Sequence, residues 1–344
     1  MLAGLSRKRI VVFSIGICFL VAMSIAVGFG FYLMNPAKEG GADQVFSVRE
    51  GSNLKEVAVE LKSREIINNK TLFLVWARVM GYSRKIKAGE YRLNSGMAPV
   101  KILDILGRGA IITHPVTIPE GFTTKQIGDL LEKKGLVNKD EFLALAGDPD
   151  IARRYGISGP SLEGYLYPDT YHFGRGLSSM LLIDVMVGRF KEVYAPFREM
   201  AERSGMTMEK VVTLASIVEK ETGLGIERPL IASVFVNRLN KGMRLESDPT
   251  VIYGLKDFNG NLQRRHLVQK TSYNTYVIKG LPPGPIASPG LEAIKAVIYP
   301  ARSNYLYFVS KNDGSHYFSK TLSEHNRAVE IYQKNRHKRL RKSS

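Results

Sequence analysis

The residues whose types and spacing could do chemistry are carboxylates, and the most informative pair is Glu219 and Glu221, closing the run VVTLASIVEKE over residues 211–221. With a helical step of about 100° counted from Val211, the apolar face (Val211, Leu214, Ala215, Ile217, Val218) centres at about 0°, Glu219 at about 80°, Lys220 at about 180° and Glu221 at about 280°. The two acids therefore flank a buried face from opposite sides. A carboxyl at the edge of an apolar stripe has its charged form disfavoured by desolvation, which raises its pKa towards the value a general acid needs. Periodicity does not choose between them, and two partly exposed helix carboxylates without a catalytic role would show the same pattern.

Other familiar centres are missing from the text. There is no His-Glu-x-x-His, no Gly-x-Ser-x-Gly and no phosphate-cradling glycine loop. Ser52-Asn53-Leu54-Lys55 fits the Ser-x-x-Lys pattern of penicillin-binding enzymes, but no Lys-Thr-Gly accompanies it. The six histidines are scattered, His316 and His325 being the only close pair; they suit substrate contact better than a metal site, and neither a metal nor a cofactor is expected. The single cysteine excludes a disulfide framework.

These residues need elements to hold them. The 344 residues can bury two modest cores, and an apolar fraction of 44% is ordinary for a globular chain. A net charge of +17 calls for a polyanion. Residues 10–34 carry no charged side chain and are long enough to span a bilayer, which needs about 20 residues. The stretch is too long for a cleaved signal and ends in Tyr32-Leu33-Met34-Asn35, without a small-residue cleavage site. Arg7, Lys8 and Arg9 precede it, so the positive-inside rule places the N-terminus in the cytoplasm and the rest outside. Cys18 lies within the span, leaving the exported part without a thiol, as suits an oxidising compartment. A basic domain outside the plasma membrane faces wall polymer or lipid, and no nucleic-acid partner is expected.

The expected fold class is α+β, with a single transmembrane helix, a small β-α-α-β module and a larger mixed catalytic domain. The division reads as a cytoplasmic tail (1–9), an anchor (10–34), a linker (35–44), a duplicated region (45–155), a catalytic domain (156–335) and a basic tail (336–344). The duplication is seen at a constant offset of 70, where Val48-Arg49-Glu50-Gly51 answers Ile118-Pro119-Glu120-Gly121 and Leu61 answers Leu131. Each copy predicts a strand, a turn at Glu-Gly and an amphipathic helix capped by Ser52 or Thr123. The first copy closes with a strand over 86–93 and a helix over 100–106, and this order resembles a LysM-type module, a fold associated with sugar polymers. Beyond the Gly-Pro-rich stretch 156–164, helices are predicted over 178–194, 208–221, 229–241, 291–299 and 322–335. A polar loop region is read over 246–275, and strands over 305–310 and 316–319 flank an Asp-Gly turn.

Longer motifs carry a resemblance. LEGYLYPDTY (162–171), LASIVEKET (214–222), DPTVIYG (248–254), YNTY (273–276) and GLPPGPI (280–286) are similar, in order, to those of the YceG-like family, over essentially the whole chain to Glu324-His325-Asn326. The resemblance implies a membrane-anchored endolytic lytic transglycosylase that cuts nascent peptidoglycan between N-acetylmuramic acid and N-acetylglucosamine and leaves a 1,6-anhydromuramyl end. It implies Glu219 as catalytic acid, and Glu221 stays as the second candidate that the helix geometry left open. Residues 287–289, Ala-Ser-Pro, depart from the Asn-Pro expected after Ile286.

That reaction explains how one carboxylate could suffice. A glycosidase needs a second, as nucleophile or base. Here the sugar's own C6 hydroxyl attacks, so one Glu can protonate the leaving oxygen and then accept the hydroxyl proton. Tyr273, Asn274 and Tyr276 would grip the sugar, Glu163 or Asp248 would orient it or tune the acid, and His316, His325 and Asn326 complete the expected binding set. Glu163, Asp169 and Asp248 also suit plain turn roles. Expected partners are glycan strands, peptidoglycan synthases with the elongation machinery, and the bilayer. The rival readings are a hydrolytic muramidase and a non-catalytic glycan-binding scaffold.

Overall fold

The computed structural model describes residues 7–82 and 86–334. Residues 1–6, 83–85 and 335–344 and the side chains of residues 7–10 lie outside the described residues, and with them the cytoplasmic and basic tails. The chain divides into two compact units, Met1–His114 with His172–Leu177, and Pro115–Tyr171 with Ser178–Ser344. The two copies of the duplicated element fall in different units.

In the first unit, α1 (Arg7–Met34) contains the apolar stretch Val11–Met34, which is long enough to cross a membrane and has no part of its apolar window buried. The end of α1 enters the core of this unit. Tyr32 and Leu33 are buried, the Tyr32 hydroxyl donates to the Asn69 carbonyl at 2.6 Å, and Phe29 meets Trp76 edge-on. Strand β1 (Gln44–Val48) pairs antiparallel with β2 (Gly89–Leu93), Gln44 opposite Leu93 and Val48 opposite Gly89. Phe46, Val48, Tyr91 and Leu93 point inward by the two-residue alternation of strands. Between the strands lie α2 (Leu54–Ser63) and α3 (Lys70–Val79), and α4 (Pro99–Arg108) follows, so the β-α-α-β order is present. The cap of α2 is Asn53 rather than Ser52. Asn53 Oδ1 accepts from the Glu56 amide, whose side chain accepts in return from the Asn53 amide, a reciprocal box that satisfies two helix-end donors.

The second unit repeats the layout. Strand β3 (His114–Thr117) precedes α5 (Thr124–Lys133), α6 (Lys139–Ala146) and α7 (Pro149–Arg154), and pairs with β4 (Thr170–Phe173). Thr123 caps α5 as its sequence predicts. Then come α8 (Ser179–Tyr194), α9 (Arg198–Arg203), α10 (Met208–Glu221), α11 (Arg228–Asn240), α12 (Asp248–Gly254), α13 (Arg264–Leu267) and α14 (Leu291–Ile298). A hairpin of β5 (Tyr307–Ser310) and β6 (His316–Ser319) leads to α15 (Leu322–Val329), whose last turns widen into a π-helix, Glu330–Lys334. Asn312 and Gly314 take the positive φ that the hairpin connection needs.

Helix α10 is the centre of this unit, packed on α11 and α14. Every residue from Val211 to Val218 is buried, so the expected apolar stripe is a complete belt. The polar members are satisfied locally: the Ser216 hydroxyl donates to the Thr213 carbonyl at 2.7 Å and accepts from the Ile286 amide at 3.0 Å. The first and last turns of α10 emerge, and the last carries Glu219 and Glu221. The region expected to be a loop over 246–275 contains α12 and α13; Pro249 sits in the first turn of α12, where its missing N–H has no helical partner to lose.

Candidate functional site

Glu221 opens into a cavity of about 460 Å³. The cavity is built by the end of α10, Arg238 of α11, Leu245 and Glu246 of the following loop, Asp248 of α12, Tyr276, the β5–β6 hairpin and α15. The Ser247 hydroxyl donates to Glu221 Oε1. Burial pushes the Glu221 carboxyl up to about 7; the Ser247 bond opposes this, the nearby charge of Asp248 adds to it, and Arg238 opposes it. Tyr276 donates to Asp248 Oδ1 at 2.7 Å, and burial followed by that bond raises the Tyr276 phenol. Arg238 is buried and braces the floor: it donates to the carbonyls of Leu245, Arg244 and Leu306 and to Glu246 Oε2, and its guanidinium lies over the Tyr307 ring. Glu246 holds a left-handed backbone, φ 53°, at the cavity wall.

Both candidate histidines line this cavity. His316 pairs through Nδ1 with Glu227 Oε2 at 2.6 Å. His325 stacks on Tyr307, with ring centroids 5.3 Å apart, and burial followed by the Arg238 charge holds its imidazole below the usual range. Asn326 lies elsewhere, exposed on the outer face of α15 in a shallow groove with Leu322, Ser323, Arg327 and Glu330.

Glu219 has different company. Its Oε1 accepts from Arg228 Nη2 at 2.8 Å and its Oε2 from the Gly290 amide at 3.0 Å, and its side chain is 6% exposed. Glu120, from the turn of the second copy, lies 3.6 Å from the same Arg228. Burial, then repulsion from Glu219, raises the Glu120 carboxyl against the pull of Arg228. The surroundings are interlocked: Lys220 Nζ donates to the Gly121 carbonyl, the Gly121 amide to Ser288, and the Ser288 amide to Phe122. The departing residues 287–289 thus sit in a buried loop whose backbone is held at Ser288 by Gly121 and Phe122. A Cβ at Gly290 would fall 1.9 Å from Glu120 Oε1, so any larger residue there would displace the Glu120 carboxylate.

Glu163 forms a third group. It is buried, accepts from the Thr124 amide at 3.0 Å at the start of α5, and receives the Tyr253 hydroxyl at 3.2 Å. Burial pushes its carboxyl up to about 7 against those hydrogen bonds. Tyr273 packs on Tyr253, ring centroids 4.7 Å apart. Asn274 is wholly buried: its Nδ2 donates to the carbonyls of His266, Leu267 and Gln269, and its Oδ1 accepts from the Tyr276 amide. It shapes the loop that carries Tyr276.

Of the sequence-expected residues, Glu221, Asp248, Tyr276, His316 and His325 share one cavity. Glu219 and Glu163 are each enclosed among other partners, and Asn326 lines a neighbouring groove that shares Leu322 with the cavity. The reading of the sequence missed Glu120, Glu227, Arg228 and Arg238. Only the repeated Glu-Gly turn singled out Glu120, and the others gain their roles from partners far along the chain. Among the described residues, no three His, Cys, Asp or Glu side chains are grouped to hold a metal ion.

The sequence profile of the YceG-like family matches residues 46–331. The chain is 31% identical over 321 residues to the endolytic murein transglycosylase of Bacillus subtilis, covering 88% of this chain and 89% of that protein. It is 30% identical over 314 residues to the protein of the same name from Streptococcus pneumoniae, covering 82% of this chain but 57% of the longer pneumococcal protein. A crystal structure of a yceG-like protein from Listeria monocytogenes superposes with a TM-score of 0.57 at 34% identity, over 83% of this chain and 98% of that one. The chain belongs to the YceG-like family.

Proposed function

We propose that this protein is a membrane-anchored endolytic lytic transglycosylase that cleaves the bond between N-acetylmuramic acid and N-acetylglucosamine in nascent peptidoglycan and leaves a 1,6-anhydromuramyl end. The reading draws on the names of the Bacillus and Streptococcus relatives. Glu221 is the general acid, and one observation carries that choice: its carboxyl, lifted to about 7 by burial, opens into a cavity large enough for sugar rings and lined by Tyr276, Tyr307 and Phe308. This exchanges the roles that the family resemblance implied. Both oxygens of Glu219 are already held, by Arg228 and by the Gly290 amide, and they lie away from the cavity, so Glu219 serves to fix the end of α10.

The geometry gives the other side chains consistent roles. Glu221 donates its proton to the glycosidic oxygen as the bond from the anomeric carbon breaks. The C6 hydroxyl of the same muramyl residue attacks that carbon, so no second carboxylate need activate water. Tyr276 and Asp248 hold one wall by their mutual hydrogen bond, aromatic rings offer faces to the sugar, and Asn274 acts through the loop. Helix α1 anchors the enzyme in the plasma membrane with its N-terminus in the cytoplasm. The first copy of the duplicated region serves as spacer or glycan-binding module, the catalytic chemistry lies in residues 156–335, and peptidoglycan synthases are the expected protein partners.

Mass spectrometry of uncrosslinked glycan digested by the full-length protein tests the reaction class. Anhydromuramyl ends support it. New reducing ends would instead assign a muramidase using Asp248 as second carboxylate, and intact strands a non-catalytic scaffold.

A further inference from the structure

The cavity that holds Glu221 also holds a basic group with a carboxylate partner of its own. His316 begins β6, and its side chain is 11% exposed. Glu227, in the 3₁₀ turn Gly225–Glu227 ahead of α11, is 12% exposed and grips it twice. Its Oε1 accepts from the His316 amide at 3.0 Å, and its Oε2 lies 2.6 Å from Nδ1. A carboxylate accepts and does not donate, so Nδ1 carries the proton of that bond, and in the neutral ring Nε2 keeps a lone pair. Phe308 and Phe318 pack around the imidazole, with centroids at 5.5 and 6.5 Å. A base whose tautomer and orientation are set by a third group is the arrangement that activates hydroxyls elsewhere in enzymology. His325 lines the same cavity without such help, its Nδ1 being buried with no hydrogen-bond partner.

We propose that His316, oriented by Glu227, is the general base that takes the proton of the muramyl C6 hydroxyl, leaving Glu221 to act as acid alone. The assignment rests on the transglycosylase reading and divides between two residues what one carboxylate would otherwise do in sequence. As the bond from C1 to the glycosidic oxygen breaks, that oxygen takes the Glu221 proton. The C6 oxygen bonds to C1, and its proton passes to His316 Nε2. Glu227 stabilises the imidazolium. Return of that proton through solvent to the Glu221 carboxylate restores both groups, so no outside acid, base or oxidant is consumed. Acid and base come from different elements, α10 and β6, so the two protons need not pass through one carboxylate.

The test uses full-length protein in detergent and uncrosslinked glycan. For His316→Ala, kcat is expected to fall about 100-fold or more with KM within about twofold, and added imidazole to restore at least about tenfold of the loss. Glu227 is a positioning residue. In Glu227→Gln the side-chain amide can donate to Nδ1 and favour the opposite tautomer, so kcat is expected to fall at least about tenfold while the thermal melt stays close to wild type. A histidine that merely latches the hairpin to α11 would show no imidazole rescue. Near wild-type kcat in either variant, or a loss in folded His316→Ala that imidazole does not relieve, overturns the proposal; should His316→Ala not fold, Glu227→Gln decides. Glu221→Gln is run beside them. If it retains turnover, the reading of the site itself fails; if it is inactive while His316→Ala and Glu227→Gln are active, only the base assignment fails.

Discussion

Glu219 and Glu221 end the same helix but have no surroundings in common. Glu219 is clamped between the Arg228 guanidinium and the Gly290 amide, whereas Glu221 receives the Ser247 hydroxyl and opens into the cavity. Two residues of separation at the end of a helix turn the side chains about 200° apart. One becomes part of the frame, and the other faces the space a substrate can enter.

The frame role predicts a loss of stability. Replacing Arg228 by Met leaves the enclosed Glu219 and the nearby Glu120 without their cation, and removing one partner of a buried ion pair costs about 3–5 kcal/mol. Denaturant melts of Arg228→Met should show a loss of this order. A midpoint equal to wild type would mean that the pair holds nothing.

The cavity role predicts a pH dependence. Glu221 must be protonated to act, and its carboxyl titrates at about 7. Turnover should therefore fall as pH rises through about 7, approaching tenfold per pH unit on the alkaline side. A rate that keeps climbing from neutral to mildly alkaline pH contradicts the assignment.

Glu163 should act on stability with a defined sign. Its folded carboxyl titrates at about 7 against an ordinary 4.5, so above pH 4.5 the native state retains a proton that the unfolded chain has lost. Stability then falls as pH rises from about 4.5 to about 7, by an amount of order 2–3 kcal/mol. Glu163→Gln removes this dependence. Relative to wild type, the variant should gain more at pH 8 than at pH 5, and an equal difference at both would exclude the buried, proton-retaining carboxyl.

Gly164 marks a close approach. Its φ is +85°, and a Cβ would meet Pro285 at 2.4 Å and the Ala287 carbonyl at 3.2 Å. Gly164→Ala should cost about 1–3 kcal/mol, combining a left-handed backbone with a displaced Pro285 loop. A melt within experimental error of wild type would show that the loop yields freely.

Local signals were legible where chemistry is local. The bounds of α10, the hairpin around Asp313-Gly314 and the Thr123 cap follow from nearest neighbours in sequence. Periodicity also placed Glu219 and Glu221 on opposite flanks. It could not say which flank would be open, because Gly290 and Ser247 approach from 71 and 26 residues away. The same holds for Glu227, whose partner His316 is 89 residues distant. Helix α12 was hidden by an Asp-Pro start that also suits a turn, and Asn53 displaced Ser52 because only Asn53 can complete a capping box with Glu56.

The most direct measurement compares strand cleavage by Glu221→Gln and Glu219→Gln, each in folded full-length protein, with product ends read by mass spectrometry. With Glu221 as acid, Glu221→Gln loses about 100-fold or more in kcat, while Glu219→Gln keeps turning over and loses mainly stability. Wild-type turnover by Glu221→Gln, with cleavage abolished in a folded Glu219→Gln, would contradict the account and return the acid role to Glu219.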